Sequence, residues 1–133
     1  MLGTEVNPFA MIVEKPSAPR DLAVTDVTQS SATLNWSPPE TDGGSEITSY
    51  IVEKCNTFNG RWVRASKATI TDTSVTLSDL VEGTSYLFRV SAENEAGIGP
   101  SCEPVGPIEA KEPKGLFVVM TWVSDFAQTV YWW

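Results

Sequence analysis

From Ala32 to Glu93 apolar and polar residues repeatedly alternate with a period of two. Ala32, Leu34 and Trp36 flank Thr33 and Asn35, and Val75 and Leu77 flank Thr76. Tyr50 and Val52 alternate with Ser49, Ile51 and Glu53. The longest run sets Tyr86, Phe88, Val90 and Ala92 against Leu87, Arg89, Ser91 and Glu93. A period of two sends alternate side chains to opposite faces of an extended chain, so each run predicts a half-buried strand. Turn-forming residues close the runs: Pro38-Pro39, Asp42-Gly43-Gly44, Asn59-Gly60, Glu82-Gly83, Gly97 and Gly99-Pro100. No window carries the 3.6-residue period of an amphipathic helix.

The pattern predicts strands over 20–28, a second ending at Trp36, then 47–54, 61–66, 74–77, 85–94 and 101–110. Seven short strands between Pro16 and Pro113 predict an all-β, antiparallel, immunoglobulin-like sandwich. The inward set is Leu22, Val24, Ala32, Leu34, Trp36, Tyr50, Val52, Val75, Leu77, Leu80, Phe88 and Val90. Residues 1–15 read differently: Pro8, Ile12 and Lys15-Pro16 echo the spacing that ends at Pro113, which suggests the last strand of a preceding module and a linker. Residues 114–133 form an apolar tail interrupted by Asp125 and Gln128. Three readings of that tail stay open: a non-native end, a segment facing a partner or a next module, and a membrane anchor. Its Leu116–Met120 stretch has high β-propensity and no charge.

Composition narrows the function. The 133 residues contain no histidine, which removes the usual general base, His-dependent nucleophile systems and most catalytic zinc sites. Nine basic against 17 acidic side chains give a net charge of −8, so nucleic acid is not an expected partner. No cofactor or metal is expected, and the chain does not read as an enzyme. Residues 1–16 lack the basic and apolar regions of a secretory signal.

Two stretches carry a family resemblance. Trp36-Ser-Pro38-Pro39, Asp42-Gly43-Gly44, Ile47 and Tyr50-Ile-Val52-Glu53-Lys54 form the first; Leu80, Gly83-Thr, Tyr86-x-Phe88-Arg89-Val90, Ala92, Asn94, Ala96-Gly97 and Gly99 form the second. Together they resemble a fibronectin type III domain over about 16–113. The variant is similar to that of giant muscle proteins such as titin, twitchin, projectin, myomesin and myosin-binding protein C. The resemblance implies a non-catalytic spacer and scaffold in the A band of the cytoplasmic sarcomere. Its partners would be neighbouring immunoglobulin-like or fibronectin type III modules, with myosin or other filament proteins. The alternative it implies is a module of a cell-surface receptor or adhesion protein. In this pattern Trp36, Tyr50, Leu80, Tyr86, Phe88 and Val90 are fold residues. Trp36 fills the gap between sheets, and Tyr86 matches a corner tyrosine whose hydroxyl ties back to nearby backbone.

Other candidate features read as structural. Gly97 to Cys102 lacks the third glycine and the following helix of a phosphate loop, so it is a turn. Glu40, Asp42 and Glu46, like Glu93 and Glu95, lack calcium-loop spacing and read as solvated loop charge. Cys55 and Cys102 fall two strands apart, about 9–10 Å, beyond the roughly 7 Å that a disulfide spans, so reduced thiols are expected. Asn35-Trp36-Ser37 is formally a glycosylation sequon, read as an outward strand position. Arg61, Trp62, Arg64 and Lys67 form a basic patch on an expected edge strand. That patch is either a protein-binding surface or an edge guarded by charge.

Overall fold

The computed structural model describes residues 12–112, together with the backbone of Val119–Val123 and Phe126–Val130. Eight strands lie within the first region: β1 (Arg20–Thr25), β2 (Ala32–Ser37), β3 (Ser49–Asn56), β4 (Arg61–Arg64), β5 (Ser74–Leu77), β6 (Ser85–Asn94), β7 (Gly97–Ile98) and β8 (Val105–Glu109). They form two antiparallel sheets, β1-β2-β5 and β4-β3-β6-β7, with β8 also paired to β6. The sandwich expected from the two-residue period is therefore present, with one strand more than the seven predicted.

The extra strand has a chemical cause. A single strand over 101–110 was expected, but β7 and β8 share the same edge of β6 as separate pieces. Pro100 and Pro104 fall between them, and proline has no N–H to give a ladder. The intervening backbone still follows β6: the Gly99 N–H donates to Ala92 O and the Cys102 N–H to Val90 O. Cys102 thus lies ahead of the last strand instead of opening it. β1 stops at Thr25, short of 28, because the Thr28 hydroxyl accepts the Ser30 and Ser31 N–H groups and turns the chain.

Burial follows the alternation on β2, where Ala32, Leu34 and Trp36 are buried and Thr33 and Asn35 are not. Trp36 bridges the sheets, its ring edge-on to Tyr50 of β3 at a centroid distance of 5.4 Å. Among the described residues its indole N–H has no hydrogen-bond partner. Leu22, Val24 and Val75, expected inside, are only partly buried against the core. The core also takes Ile70, whose carbonyl accepts the Tyr50 N–H, and Ala110 near the chain's exit.

Strand β3 departs from simple alternation, since Ile51, on the face opposite Tyr50 and Val52, is only 7 % exposed. Cross-strand Ser91 is buried as well, so the outer face is shielded from water at this point. Backbone strands β9 (Val119–Val123) and β10 (Phe126–Val130) pair antiparallel with each other. The expectation that residues 1–15 are the end of a preceding module and a linker falls, for residues 1–11, outside the described residues. Among the described residues no helix is long and apolar enough to cross a membrane.

Candidate functional site

The six residues assigned to the fold, Trp36, Tyr50, Leu80, Tyr86, Phe88 and Val90, are all buried. The Tyr86 hydroxyl accepts the Val81 N–H at 2.9 Å, which fixes the corner between β5 and β6. Leu80, next to Val81, is held in place where its own N–H donates to Ser30 O.

The basic quartet separates. Strand β4 is the edge of its sheet, and the pleat sends Trp62 and Arg64 to one face and Arg61 and Val63 to the other. Lys67 follows the strand and is exposed. Trp62 lies on the outer face, where the Arg89 guanidinium of β6 sits 4.0 Å from its ring centroid. Arg89 Nε also donates to Glu53 Oε1 of β3 at 2.8 Å. One arginine therefore ties three adjacent strands across a single face. Each half of the arrangement is partly exposed, so solvent screening limits it to about 1 kcal/mol. It lies on the same face of the sheet as Ile51 and Cys55.

The second arrangement lies at the pole where the chain enters the sandwich. Asn94 closes β6 and is 3 % exposed. Its amide NH₂ donates to Glu14 O at 2.6 Å and to Asp42 O at 2.7 Å, and its Oδ1 accepts the Ala96 N–H at 2.8 Å. Three chain segments thereby meet at one carboxamide. Around it the Glu14 N–H donates to Gly43 O, and the Ser17 N–H to Thr41 O. Pro16 is fully buried. Two glycines make room: a Cβ on Gly43 would overlap the Glu14 carbonyl oxygen, and one on Gly99 would overlap that of Pro16. The incoming segment is thus bonded into two loops before β1 begins.

At the opposite pole the Gly83 N–H donates to Ala110 O, and the Ala110 N–H to Thr84 O. Thr84 precedes β6 and Asn94 ends it, so the docked ends are separated by the length of that ten-residue strand, about 30 Å.

The remaining candidates hold no assembled chemistry. Glu40, Asp42, Glu46 and Glu95 are exposed, while Glu93 accepts the Ser49 hydroxyl. Among the described residues no group of three His, Cys, Asp or Glu side chains is placed to hold a metal ion. Asn35 uses both ends of its amide between strands, donating to Thr25 Oγ1 and accepting the Ser74 hydroxyl. Cys55 and Cys102 are free and buried. Cys102 belongs to the core, whereas Cys55 falls on the other face of β3, so the sheet itself separates them. Burial pushes the Cys102 thiol above its ordinary range, partly offset by the backbone hydrogen bonds at Val90 and Cys102. Desolvation likewise raises Tyr50.

Sequence reasoning singled out neither Asn94 nor Gly43 as a docking element. The Asn94-x-x-Gly97 spacing was the available signal. Its partners lie 80 and 52 residues away along the chain and have no local signature.

Known proteins share this fold. A segment 40 % identical to this chain over 99 residues occurs in titin of Drosophila melanogaster, covering 74 % of this chain and 0 %, to the nearest per cent, of that protein. Myosin-binding protein H of Gallus gallus is 40 % identical over 87 residues, 65 % of this chain and 16 % of its own length. The chain thus spans less than a fifth of either relative. Among solved structures, titin module A71 from human cardiac muscle superposes with a TM-score of 0.68 at 40 % identity, covering 74 % of this chain and 95 % of that module. Titin domains A168–A170 give a TM-score of 0.70 at 44 % identity, over 74 % of this chain and 33 % of theirs. With the family model for the fibronectin type III domain matching residues 17–107, the chain belongs to the fibronectin type III family.

Proposed function

We propose that the chain is a non-catalytic spacer and interaction module of a giant sarcomeric filament protein, set along the thick filament in the A band. The observation that carries this reading is the separation of its two docked ends. The incoming segment is bonded at the Asn94 pole and the outgoing one at Thr84, with β6 between them. A sandwich joined in this way adds a fixed length to a chain of modules, and its sides remain available to neighbours. Kinship to titin and myosin-binding proteins supports the muscle setting. Adjacent immunoglobulin-like or fibronectin type III modules, and myosin or another filament protein, are the partners this role requires. The Trp62 face, with Arg64 exposed beside it, is the lateral surface we assign to protein contact.

Sequencing the transcript on both sides of this coding region tests the reading. The expected result is further modules of the same kind in frame, with expression in striated muscle. A secretion signal upstream and a membrane span downstream would replace the filament role with that of a cell-surface protein.

A further inference from the structure

The turn between β3 and β4 borders an open pocket of about 300 Å³ lined by Lys54, Asn56, Asn59, Arg61, Val63 and Tyr86. Its polar groups are almost entirely donors. The Asn56 Oδ1 accepts the Phe58 N–H and the Asn59 Oδ1 accepts the Arg61 N–H, at 2.8 and 2.9 Å. Each carboxamide oxygen is engaged by the turn, and among the described residues neither NH₂ donates a hydrogen bond. Lys54 Nζ lies 5.7 Å from the Tyr86 ring centroid. Among the described residues neither Lys54 nor Arg61 forms an ion pair; the recorded pairs are Arg89–Glu53 and Lys111–Glu109. Two cations without carboxylates, beside two donor amides, are a departure on a chain of net charge −8.

The turn is also ordered in advance. Asn59 and Gly60 both donate their N–H groups to Asn56 O, and the Thr57 N–H donates to Ser85 O. Phe58 at its tip is 96 % exposed, and Val63 is 45 % exposed. An aromatic ring held in water by a fixed turn, next to unpaired donors, suits a partner offering an apolar side chain and an anionic one together.

We propose that this pocket binds a carboxylate side chain from an extended acidic segment of a partner protein, with Phe58 and Val63 taking the apolar residues beside it. Lys54 and Arg61 supply the charge, and the Asn56 and Asn59 amides supply oriented donors. The acidic remainder of the chain repels a long polyanion, whereas a short acidic segment meets only the pocket. A free inorganic anion would have no use for the apolar rim. The site stands independently of the sarcomeric role proposed above.

The test uses the full chain and a fluorescein-labelled peptide of alternating glutamate and leucine, with its glutamine counterpart as control. Anisotropy should show salt-sensitive binding of the glutamate peptide alone, and amide NMR shifts should centre on residues 54–63. K54M and R61Q should each weaken binding about three-fold and together about ten-fold, as partly exposed charge contacts do. K67Q should leave it unchanged, since Lys67 is exposed beyond the end of β4. Equal binding of the glutamine peptide, equal loss in K67Q, or shifts centred elsewhere would overturn the proposal. So would displacement of the peptide by an equimolar amount of inorganic phosphate, which would reassign the pocket to a free oxyanion. Amide shifts of the unbound K54M and R61Q variants, matching the parent outside the pocket, verify that both are folded.

Discussion

Replacing Asn94 by alanine should free the incoming segment without dismantling the sandwich. The side chain makes three hydrogen bonds, at 2.6, 2.7 and 2.8 Å, to residues in three different segments. At about 0.5–1.5 kcal/mol net apiece, their loss sums to about 1.5–4.5 kcal/mol. Glu14 and Asp42 are exposed residues, so water can reach their carbonyls once the amide is gone. That places the expected cost near the middle of the range, about 2–3 kcal/mol. Urea unfolding should show a lower midpoint with an unchanged slope, because the folded surface barely changes. Hydrogen exchange should localise the effect to the amides of Glu14 and Ser17, which donate to Gly43 O and Thr41 O. Asn94→Asp is the sharper variant. It keeps an acceptor for the Ala96 N–H but turns a carboxylate oxygen toward two carbonyls, so it should cost at least as much as alanine. A loss below about 0.5 kcal/mol with Glu14 still protected would refute the clamp, since three well-formed bonds cannot then be holding that segment.

Trp36→Ala should cost about 3–5 kcal/mol in urea unfolding, the range for emptying a large aromatic site in a core. Trp36→Phe should cost far less, because among the described residues the indole N–H has no partner to lose. Gly99→Ala should cost about 1–3 kcal/mol, as overpacking does, and should abolish exchange protection at Ser17 by displacing Pro16. Stability should also fall in alkali. Cys102 and Tyr50 both ionise less readily folded than unfolded, so their contribution is complete below the unfolded values of about 8.5 and 10 and is lost as pH rises through the folded ones. Denaturation midpoints measured from pH 8 to 11 should decline, and Cys102→Ala should remove the first part of the decline; a flat profile would show that burial does not perturb these groups.

The architecture was legible wherever one face of a strand meets the core and the other meets water. Strand β2 obeys that condition residue by residue, and the 74–77 and 85–94 strands were placed at their observed bounds. The reading failed where the condition fails. Ile51 looked outward by period and is outward, yet local shielding of the outer face buries it, and shielding is a property of neighbouring strands. The break between β7 and β8 was written in Pro100 and Pro104, but Gly99 and Cys102 keep the backbone on β6, so the break is local. The acceptor side of the pocket turn was equally hidden. Asn56 and Asn59 look like ordinary turn residues until their oxygens are seen to be engaged. The basic quartet shows the same limit, since proximity in sequence put Arg61 with Trp62 and the pleat put it with Lys54.

The docking of Glu14 to Ser17 also bears on twist. A linker that touches its module at one point can swivel about its own axis. Here the backbone is held at Glu14 and Ser17 by bonds to two residues of one loop, and Asn94 grips it from another segment. Bonds from two separate segments at two points of the backbone restrain rotation as well as bending. In an array of such modules each sandwich would hand its azimuth to the next, so side-facing surfaces would recur at a set angle about the long axis. Substituting Gly43 or Gly99, which leave room for the Glu14 and Pro16 carbonyls, would loosen that hold.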